Sequence, residues 1–401
     1  GHRAWADLLA MTSSALAIPM QIVELRRRYL PRPLLSMLGL RLVLKLVGRE
    51  DQFGQLLSGI ENKTLEANRE LETLAAVIRD EPILASAFST QDIASLADVL
   101  DGSPEGQDLQ RRLELFRAAY GHRELASPLL VSQPTWGDDP DAILGLLKTM
   151  SQTDAAPSHQ TEPWQSARDD ILALPDLQFP PLRAAFLWLL REARQLPPLR
   201  EDTHFYLTTP IPVLRRIFAE MGSRLVKAGA LDDAADIYHL RLEDLERLQG
   251  QWPPSAPLSA ELRAVVAARR SRRESLRHVP MLPPVAASTT TPPDDALAYG
   301  TPGSPGVAHG PVRLVHGPEE FGRVQPGDVV VAPFTNPAWT PLFARAVAVV
   351  VDAGSAMSHA AIVAREYGLP AVMGTRDALT RLQDGQLVTV DGTRGLVFPE
   401  R

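Results

Sequence analysis

The strongest constraint on the fold is a change in the spacing of apolar residues between residues 250 and 300. From Trp5 to Gln249 apolar side chains recur at intervals of three and four, as in the run from Leu56 to Ile78, which is typical of helices that bury one face. After Gly300 they form short β-branched runs bounded by Gly, Pro and Asp, which are typical of strands. The sequence therefore predicts a multidomain protein, with a mainly α-helical N-terminal domain and a small α/β domain at the C-terminus.

The predicted boundaries are residues 1–250 for the helical domain and 300–401 for the α/β domain. Residues 251–299 hold a predicted helix, Leu258 to Val279, and then a segment over 280–295 that is rich in Pro and Thr. Such a composition favours a linker. A chain of 401 residues is also too long for one ordinary core. We expect the linker to let the C-terminal domain move.

In the C-terminal domain the pattern predicts six strands and two helices. The predicted strands are Val312–Val315, Asp328–Ala332, Ala346–Val351, Ala371–Val372, Leu387–Val390 and Gly395–Phe398. The predicted helices are Pro341–Arg345 and Ser358–Tyr367.

Composition excludes several classes of protein. Hydrophobic residues make up 45% and charged residues 22%, as in globular proteins, and the net charge of −7 argues against general nucleic-acid binding. The absence of cysteine excludes disulfides, thiolate catalysis and Cys-bound zinc. No run of about 18 uncharged apolar residues occurs, and the run Leu34–Leu46 is broken by Arg41 and Lys45, which favours a buried amphipathic helix. With no recognisable signal peptide, we expect a cytoplasmic protein with neither nucleic acid nor membrane as a partner.

The segment with the clearest catalytic pattern is GSAMSHAAIVAREYGLP, residues 354–370. It follows a predicted buried strand, Ser358 is a good N-cap and Gly368 a good helix stop. His359 then lies in the first turn of a short helix, where free backbone N–H groups and the helix dipole favour an anion. An imidazole nitrogen there can attack phosphorus and form a phosphoramidate. The small side chains of Ala360 and Ala361 predict an accessible ring.

A histidine at a helix start is also commonly structural, so position alone leaves both interpretations open. Other catalytic patterns gain no support. No second histidine lies four residues away, no G-x-S-x-G elbow occurs, and neither a P-loop nor a G-x-G-x-x-G motif is present. No metal site is predicted.

The segment resembles the phosphohistidine signature of the mobile, or swivelling, domain of phosphoenolpyruvate-utilising enzymes. Further matches lie in the expected order along the chain. These are GSPGVAHG at 303–310, DVVVAP at 328–333, TNPAWTPLF at 335–343, DG at 384–385 and VDGTRG at 390–395. The resemblance covers residues 300–400 and implies that His359 carries a phosphoryl group.

Two departures from the family pattern point to one branch. Ser355 replaces the second glycine of the family's pair, and Met357 stands where pyruvate phosphate dikinases have threonine. An apolar residue at that position, together with the segment 335–343, is more similar to rifampicin phosphotransferases. YGHRE at 120–124, PTWGDDP at 134–140 and RED at 200–202 also resemble their substrate-binding region.

The resemblance implies roles for individual residues. His359 would carry the phosphoryl group, Arg365 would orient or charge-balance it, and Ser358 would cap the helix and hydrogen-bond phosphoryl oxygens. The residues implied to bind the small-molecule substrate are His122, Arg123, Arg200, Asn336 and Trp339. Arginine and histidine that converge on a cleft would suit an anionic substrate.

In this family an N-terminal ATP-grasp domain phosphorylates the histidine. Here the helical pattern begins almost at residue 1, so the ATP-grasp half is expected on a separate polypeptide, on a part of the protein outside this sequence, or lost with a change of task. We expect Mg-ATP on a partner subunit, with no cofactor on this chain. The leading hypothesis is a phosphotransferase component that serves a hydroxylated natural product or pyruvate-like acid. The alternatives are an ATP-independent lyase or dehydratase with His359 as general acid/base, and a non-catalytic binding protein.

Overall fold

The computed structural model describes residues 2–124, 130–152, 164–276, 293 and 295–400. Most of the predicted linker over 280–295 lies outside these residues, as does the end of the predicted helix Leu258 to Val279.

The N-terminal region is helical throughout its described part. Its α-helices are α1 His2–Tyr29, α2 Pro31–Leu46, α3 Phe53–Leu56, α4 Lys63–Asp80, α5 Pro82–Thr90, α6 Ile93–Gly102, α7 Pro104–Tyr120, α8 Pro140–Ser151, α9 Trp164–Leu172, α10 Pro180–Ala193, α11 Leu196–Thr208, α12 Ile211–Lys227, α13 Leu242–Glu246 and α14 Ala256–Ser275. Short 3₁₀ turns lie at Glu50–Gln52, Pro175–Gln178 and Ala234–His239.

The C-terminal region is a mixed α/β domain. Its strands are β1 Ala298–Tyr299, β2 Thr301–Ser304, β3 Val307–Leu314, β4 Val329–Ala332, β5 Ala348–Val351, β6 Ala371–Met373, β7 Leu387–Asp391 and β8 Leu396–Pro399. Its α-helices are α15 Thr340–Phe343, α16 His359–Glu366 and α17 Ala378–Arg381. Further 3₁₀ turns lie at Pro318–Arg323 and Pro337–Trp339. The predicted fold class is confirmed.

The strands form one sheet in the order β1-β8-β7-β3-β4-β5-β6-β2. The four from β3 to β6 are parallel, and the outer pairs are antiparallel. Every residue of β4 and β5 is buried, as the unbroken β-branched runs predict for a central parallel strand. Because parallel strands end at the same edge of a sheet, the segments after β4 and β5 meet there. This edge brings Thr340 and His359 together.

Three differences from the predicted elements have local causes. The apolar run from Leu56 to Ile78 is interrupted, because the Asn62 side chain accepts from the N–H groups of Thr64 and Leu65 at 3.0 and 3.1 Å and starts α4 there. Strand β2 was missed because it contains Pro and Gly and no β-branched run, which an edge strand tolerates. The two-residue β1 and the four-residue α17 are too short to show a period.

The helical and α/β regions share one hydrophobic cluster. It joins Leu71 of α4 and Leu147 of α8 to Trp339, Ala360 and Val363 of the C-terminal region. Polar contacts cross the same boundary. The Gly59 N–H donates to the carboxylate of Glu366 at 3.0 Å, and the Tyr367 hydroxyl donates to Glu72 at 2.9 Å. The C-terminal domain is therefore docked against the helical region.

The first two helices are more exposed than expected. In α2, Met37, Leu40 and Leu44 are buried, but Leu35 and Leu42 face solvent, so only one side of the predicted buried helix is covered. The part of α1 over Ala4–Tyr29 is long and apolar enough to cross a membrane by length and composition, and 17% of its most apolar window is buried in the protein. Core helices and N-terminal signal segments share these properties, so they do not by themselves identify a membrane span.

Candidate active site

His359 opens helix α16, as predicted, at the end of the loop that follows β5. Ser358 occupies the N-cap position with extended backbone dihedrals, but its hydroxyl makes no capping bond and donates instead to Met373 Sδ at 3.3 Å. The prediction that its side chain caps the helix is therefore wrong, because a neighbouring strand offers the hydroxyl another acceptor. Gly368 ends the helix in the left-handed conformation, with φ of 66°, as its predicted role requires.

The imidazole of His359 is buried, with 7% of the residue exposed, so the expectation of an accessible ring is wrong for this docked arrangement. The small residues Ala360 and Ala361 do not leave it open, because the N-terminus of α16 points into the helical region. His359 Nε2 lies 3.3 Å from the Thr340 hydroxyl oxygen. His359 Nδ1 lies 3.6 Å from Glu201 Oε2, somewhat beyond hydrogen-bond length. The ring thus has one nitrogen facing its own domain and the other facing the helical region.

The electrostatics of this pair favour a neutral ring beside a carboxylate. Burial lowers the pKa of the His359 imidazole, and the Glu201 carboxylate opposes that shift only in part. Burial also works to raise the pKa of the Glu201 carboxyl, but its contacts with His359, Arg200 and Thr64 outweigh burial and hold the pKa below its usual range. A neutral imidazole is the nucleophilic form, and the carboxylate favours a proton on Nδ1.

Two arginines surround Glu201. Arg123 is buried and donates from Nη2 to the Thr64 hydroxyl at 3.0 Å, and that hydroxyl donates to Glu201 Oε2 at 2.9 Å. Arg200 lies 3.4 Å from Glu201 Oε1 and donates to the Met357 carbonyl, just before His359. Burial lowers the pKa of Arg123, yet a guanidinium keeps its proton in a protein. Because Nε and Nη1 of Arg123 have no hydrogen-bond partner among the described residues, this cation has donors left for an anion.

A second pair, with a half-buried histidine and a buried glutamate, also involves residues next to Arg123. His204 Nε2 and Glu124 Oε1 are 2.5 Å apart, and 4% of the Glu124 side chain is exposed. His122 packs edge-on against Phe205 at 4.4 Å, and burial, assisted by Arg123, lowers its pKa to about 4. His122 was predicted, whereas His204 and Glu124 were not. Their sequence signal was weak, because they are 80 residues apart and only the fold joins them.

The other predicted site residues are placed as follows. Trp339 is buried and packs edge-on against Phe321 at 5.0 Å, within the core of its own region. Asn336 is buried and accepts from the Ala338 N–H at 2.9 Å, which shapes the turn before Thr340. Neither is open to a substrate in this arrangement. Thr340, which does face His359, was missed although it lies in the same quoted segment, because its partner becomes visible only when the two strand ends meet.

Arg365 is buried at the C-terminal end of α16. Its Nη2 donates to the Ala356 carbonyl, so its described contact is to the loop before His359 and not to the ring. Across the described residues, no group of three or more His, Cys, Asp or Glu side chains could hold a metal ion.

Comparison with known proteins matches both halves of this site. Residues 324–395, which include His359 and Thr340, match the model of the PEP-utilising enzyme mobile domain. Residues 29–201, which include Thr64, Arg123 and Glu201, match the model of the rifampicin phosphotransferase fourth domain. The C-terminal region is thus similar to the mobile domain of PEP-utilising enzymes, and the helical region is similar to a domain of rifampicin phosphotransferase.

Individual relatives agree with this assignment. The chain is 29% identical over 372 residues to the uncharacterised phosphotransferase YvkC of Bacillus subtilis, covering 86% of this chain and 43% of that protein. It is 27% identical over 365 residues to the rifampicin phosphotransferase of Streptomyces sviceus, covering 85% and 40%. It is 31% identical over 373 residues to the chondramide synthase cmdD of Chondromyces crocatus, covering 85% and 9%. The chain thus spans less than half the length of each of these relatives.

Proposed function

We propose that this chain is the phosphoryl-carrying and acceptor-binding part of a phosphotransferase. His359 takes a phosphoryl group from ATP bound to an ATP-grasp unit outside these 401 residues, on a partner subunit or on further sequence. It then delivers the group to a hydroxyl of a small molecule held by the helical region. The observation that carries the proposal is the burial of His359 against Glu201, beside Arg123 and Arg200.

The geometry supports a different role for each of the two ring nitrogens of His359. With Nδ1 facing Glu201, the phosphoryl group belongs on Nε2, where the Thr340 hydroxyl can donate to one of its oxygens. Transfer breaks the P–Nε2 bond and returns its electron pair to Nε2, while the acceptor oxygen bonds to phosphorus. Because Glu201 keeps a proton on Nδ1, the leaving ring is neutral imidazole and not the much poorer imidazolate.

Two further groups complete this step. The unpaired N–H donors of Arg123 suit the charge that spreads over the phosphoryl oxygens during transfer. The acceptor hydroxyl must also lose its proton, and the pair of His204 with Glu124 has the arrangement of an oriented general base. The acceptor would be a hydroxylated natural product or a pyruvate-like acid, and the names rifampicin phosphotransferase and chondramide synthase favour the former.

The test is intact-protein mass spectrometry at alkaline pH, which preserves phosphohistidine. The chain is incubated with Mg-ATP, alone and with a candidate ATP-grasp partner protein. We expect one added phosphoryl group that requires the partner and vanishes in His359→Ala. The matched control is His309→Ala, which removes an exposed histidine of the same domain and should keep the added mass. Rifampicin and pyruvate are then supplied as first acceptors.

A second function is favoured by the same pair of residues. A neutral imidazole beside a buried carboxylate can also serve as general acid/base in an ATP-independent lyase or dehydratase. If no phosphoryl group is added with any partner, while His359→Ala abolishes conversion of a small-molecule substrate, the phosphotransferase proposal is wrong and this alternative replaces it.

A further inference from the structure

A second polar cavity lies on the boundary between the two regions, apart from the His359 cluster. Its volume is about 310 Å³, and His359 is not among its lining residues. The helical region contributes Arg41, Phe53 and Gly54 to its wall, and the C-terminal domain contributes Arg365 and Arg394. A space of this size holds a small polar molecule.

Arg365 is the feature of this cavity that needs an explanation. The residue is 4% exposed, and its guanidinium donates to no carboxylate among the contacts of the described residues, although the nearby Glu366 carboxylate favours its charged form. Its Nη2 is used by the Ala356 carbonyl, whereas its Nε has no hydrogen-bond partner. Burial lowers the pKa of Arg365 to about 10, which still leaves it charged at neutral pH. A buried and unpaired charge costs several kcal/mol unless a counter-charge is supplied.

The carboxylates that line the cavity form no ion pair with Arg365 among the described contacts. Glu50 lines the cavity but is held by Arg41 at 2.7 Å. Arg394 adds a third cation, and its nearest described carboxylate, Asp391, is 3.9 Å away. With Asp51 included, three arginines face two carboxylates, so the lining has an excess of positive charge.

We propose that this cavity binds a small oxyanion, a phosphate or carboxylate group, whose charge pairs with Arg365. The site is separate from the phosphoryl-transfer site and bridges the two regions. Because its wall is complete only while the C-terminal domain is docked, a bound anion favours the docked arrangement. Gly54 permits this approach, since a Cβ at that position would come within 3.0 Å of Pro305 and 3.6 Å of Arg365 Nε.

The experiment is calorimetric titration of the full chain with inorganic phosphate, against sodium chloride of equal ionic strength. Arg123→Gln serves as the background, because it weakens phosphate binding beside His359 and isolates the second site. In that background we expect saturable phosphate binding and a rise in Tm with phosphate. Adding Arg365→Met should weaken binding about tenfold or more, since a charged hydrogen-bond donor is lost.

Two further variants keep the proposal falsifiable if Arg365→Met does not fold. Arg41→Gln removes a cation of the cavity wall on the helical side, and should weaken phosphate binding about threefold. Arg247→Gln is the matched control, because it also removes a half-exposed arginine that pairs with a glutamate, but away from the cavity, and binding should be unchanged.

Two results would overturn the proposal. One is phosphate binding no tighter than chloride binding in the Arg123→Gln background. The other is phosphate affinity that stays the same in Arg41→Gln and in a folded Arg365→Met. Neither outcome depends on phosphoryl transfer by His359, so the two proposals fail separately.

Discussion

The C-terminal domain carries its reactive histidine on one contiguous stretch, residues 354–370, whereas the helical region assembles its half of the site from distant parts of the chain. Thr64 lies in α4, Arg123 in the turn after α7, and Glu201 in α11. A local motif is formed by neighbours in sequence, so its geometry does not depend on how the domain packs against the helical region. An assembled site exists only when the helices pack and the domain docks. The comparison therefore separates charging of His359, which should need the motif, from delivery, which should need the helical region.

The sharpest test of this separation is Glu201→Gln. Without the carboxylate, the proton on Nδ1 is less well held and the ring leaves less readily, so we expect transfer from phospho-His359 to an acceptor to slow by about 10²-fold or more. Formation of phospho-His359 should be nearly unchanged, because the donor lies outside this cluster. Rapid-quench measurement of both steps checks the prediction. Equal loss of the two steps would mean that Glu201 supports the motif and not delivery.

Arg123→Lys should give the next largest effect. The lysine keeps a positive charge but loses the forked donors, so delivery should fall by about 10- to 10²-fold with charging retained. Arg117→Lys is the control, since this half-buried arginine donates to the Gly137 carbonyl at 3.0 Å and has no described contact with the His359 cluster. The same single-turnover assay compares them. If delivery slows as much in Arg117→Lys as in Arg123→Lys, the loss is caused by altered folding and not by the missing donors.

A third prediction concerns how the free energy of unfolding depends on pH, through a histidine of the helical region. The pKa of His122 is lowered to about 4 by burial, from an ordinary value of 6.5. Its neutral form therefore stabilises the folded state fully above pH 6.5, and this contribution is lost as the pH falls from 6.5 to about 4. Urea unfolding over that range should show a flatter fall in the free energy of unfolding for His122→Asn than for the parent protein.

The control for that measurement is His309→Asn, which removes an exposed histidine of the C-terminal domain. It should leave the pH dependence as it is in the parent protein. The lowered pKa of buried His359 also makes the free energy of unfolding decrease at acid pH. Part of that decrease should therefore remain in His122→Asn. A pH profile identical in the parent and in His122→Asn would contradict the assigned burial effect.

The smallest expected effect tests the docking itself. Tyr367→Phe removes the hydrogen bond to Glu72, which spans the two regions at 2.9 Å. A hydrogen bond to a charged group contributes about 1.5–3 kcal/mol, so the docked population should fall by about tenfold or more relative to the undocked one. Distance measurement between fluorophores on the two regions reads this ratio. Tyr29→Phe, at a residue 53% exposed, should leave it unchanged.

Local patterns in the sequence were enough to predict much of the fold. The change from helical to strand periodicity, the Val-rich central strands β4 and β5, and the start and stop of α16 all follow from residues within one turn or one strand. Elements without a period, such as β1, β2 and α17, could not be found this way. Resemblance to a family then supplied His359 and several of its basic neighbours.

The sequence by itself thus determined the class of fold and the place of His359 at the start of α16, because both are encoded by residues close together in the chain. Only the tertiary structure decided that His359 is buried against Glu201, that Thr340 faces its other nitrogen, and that Arg365 borders a second cavity. These contacts join residues that are far apart in the chain. Burial and charge pairing across such separations depend on how the regions pack, and a linear pattern does not record that packing.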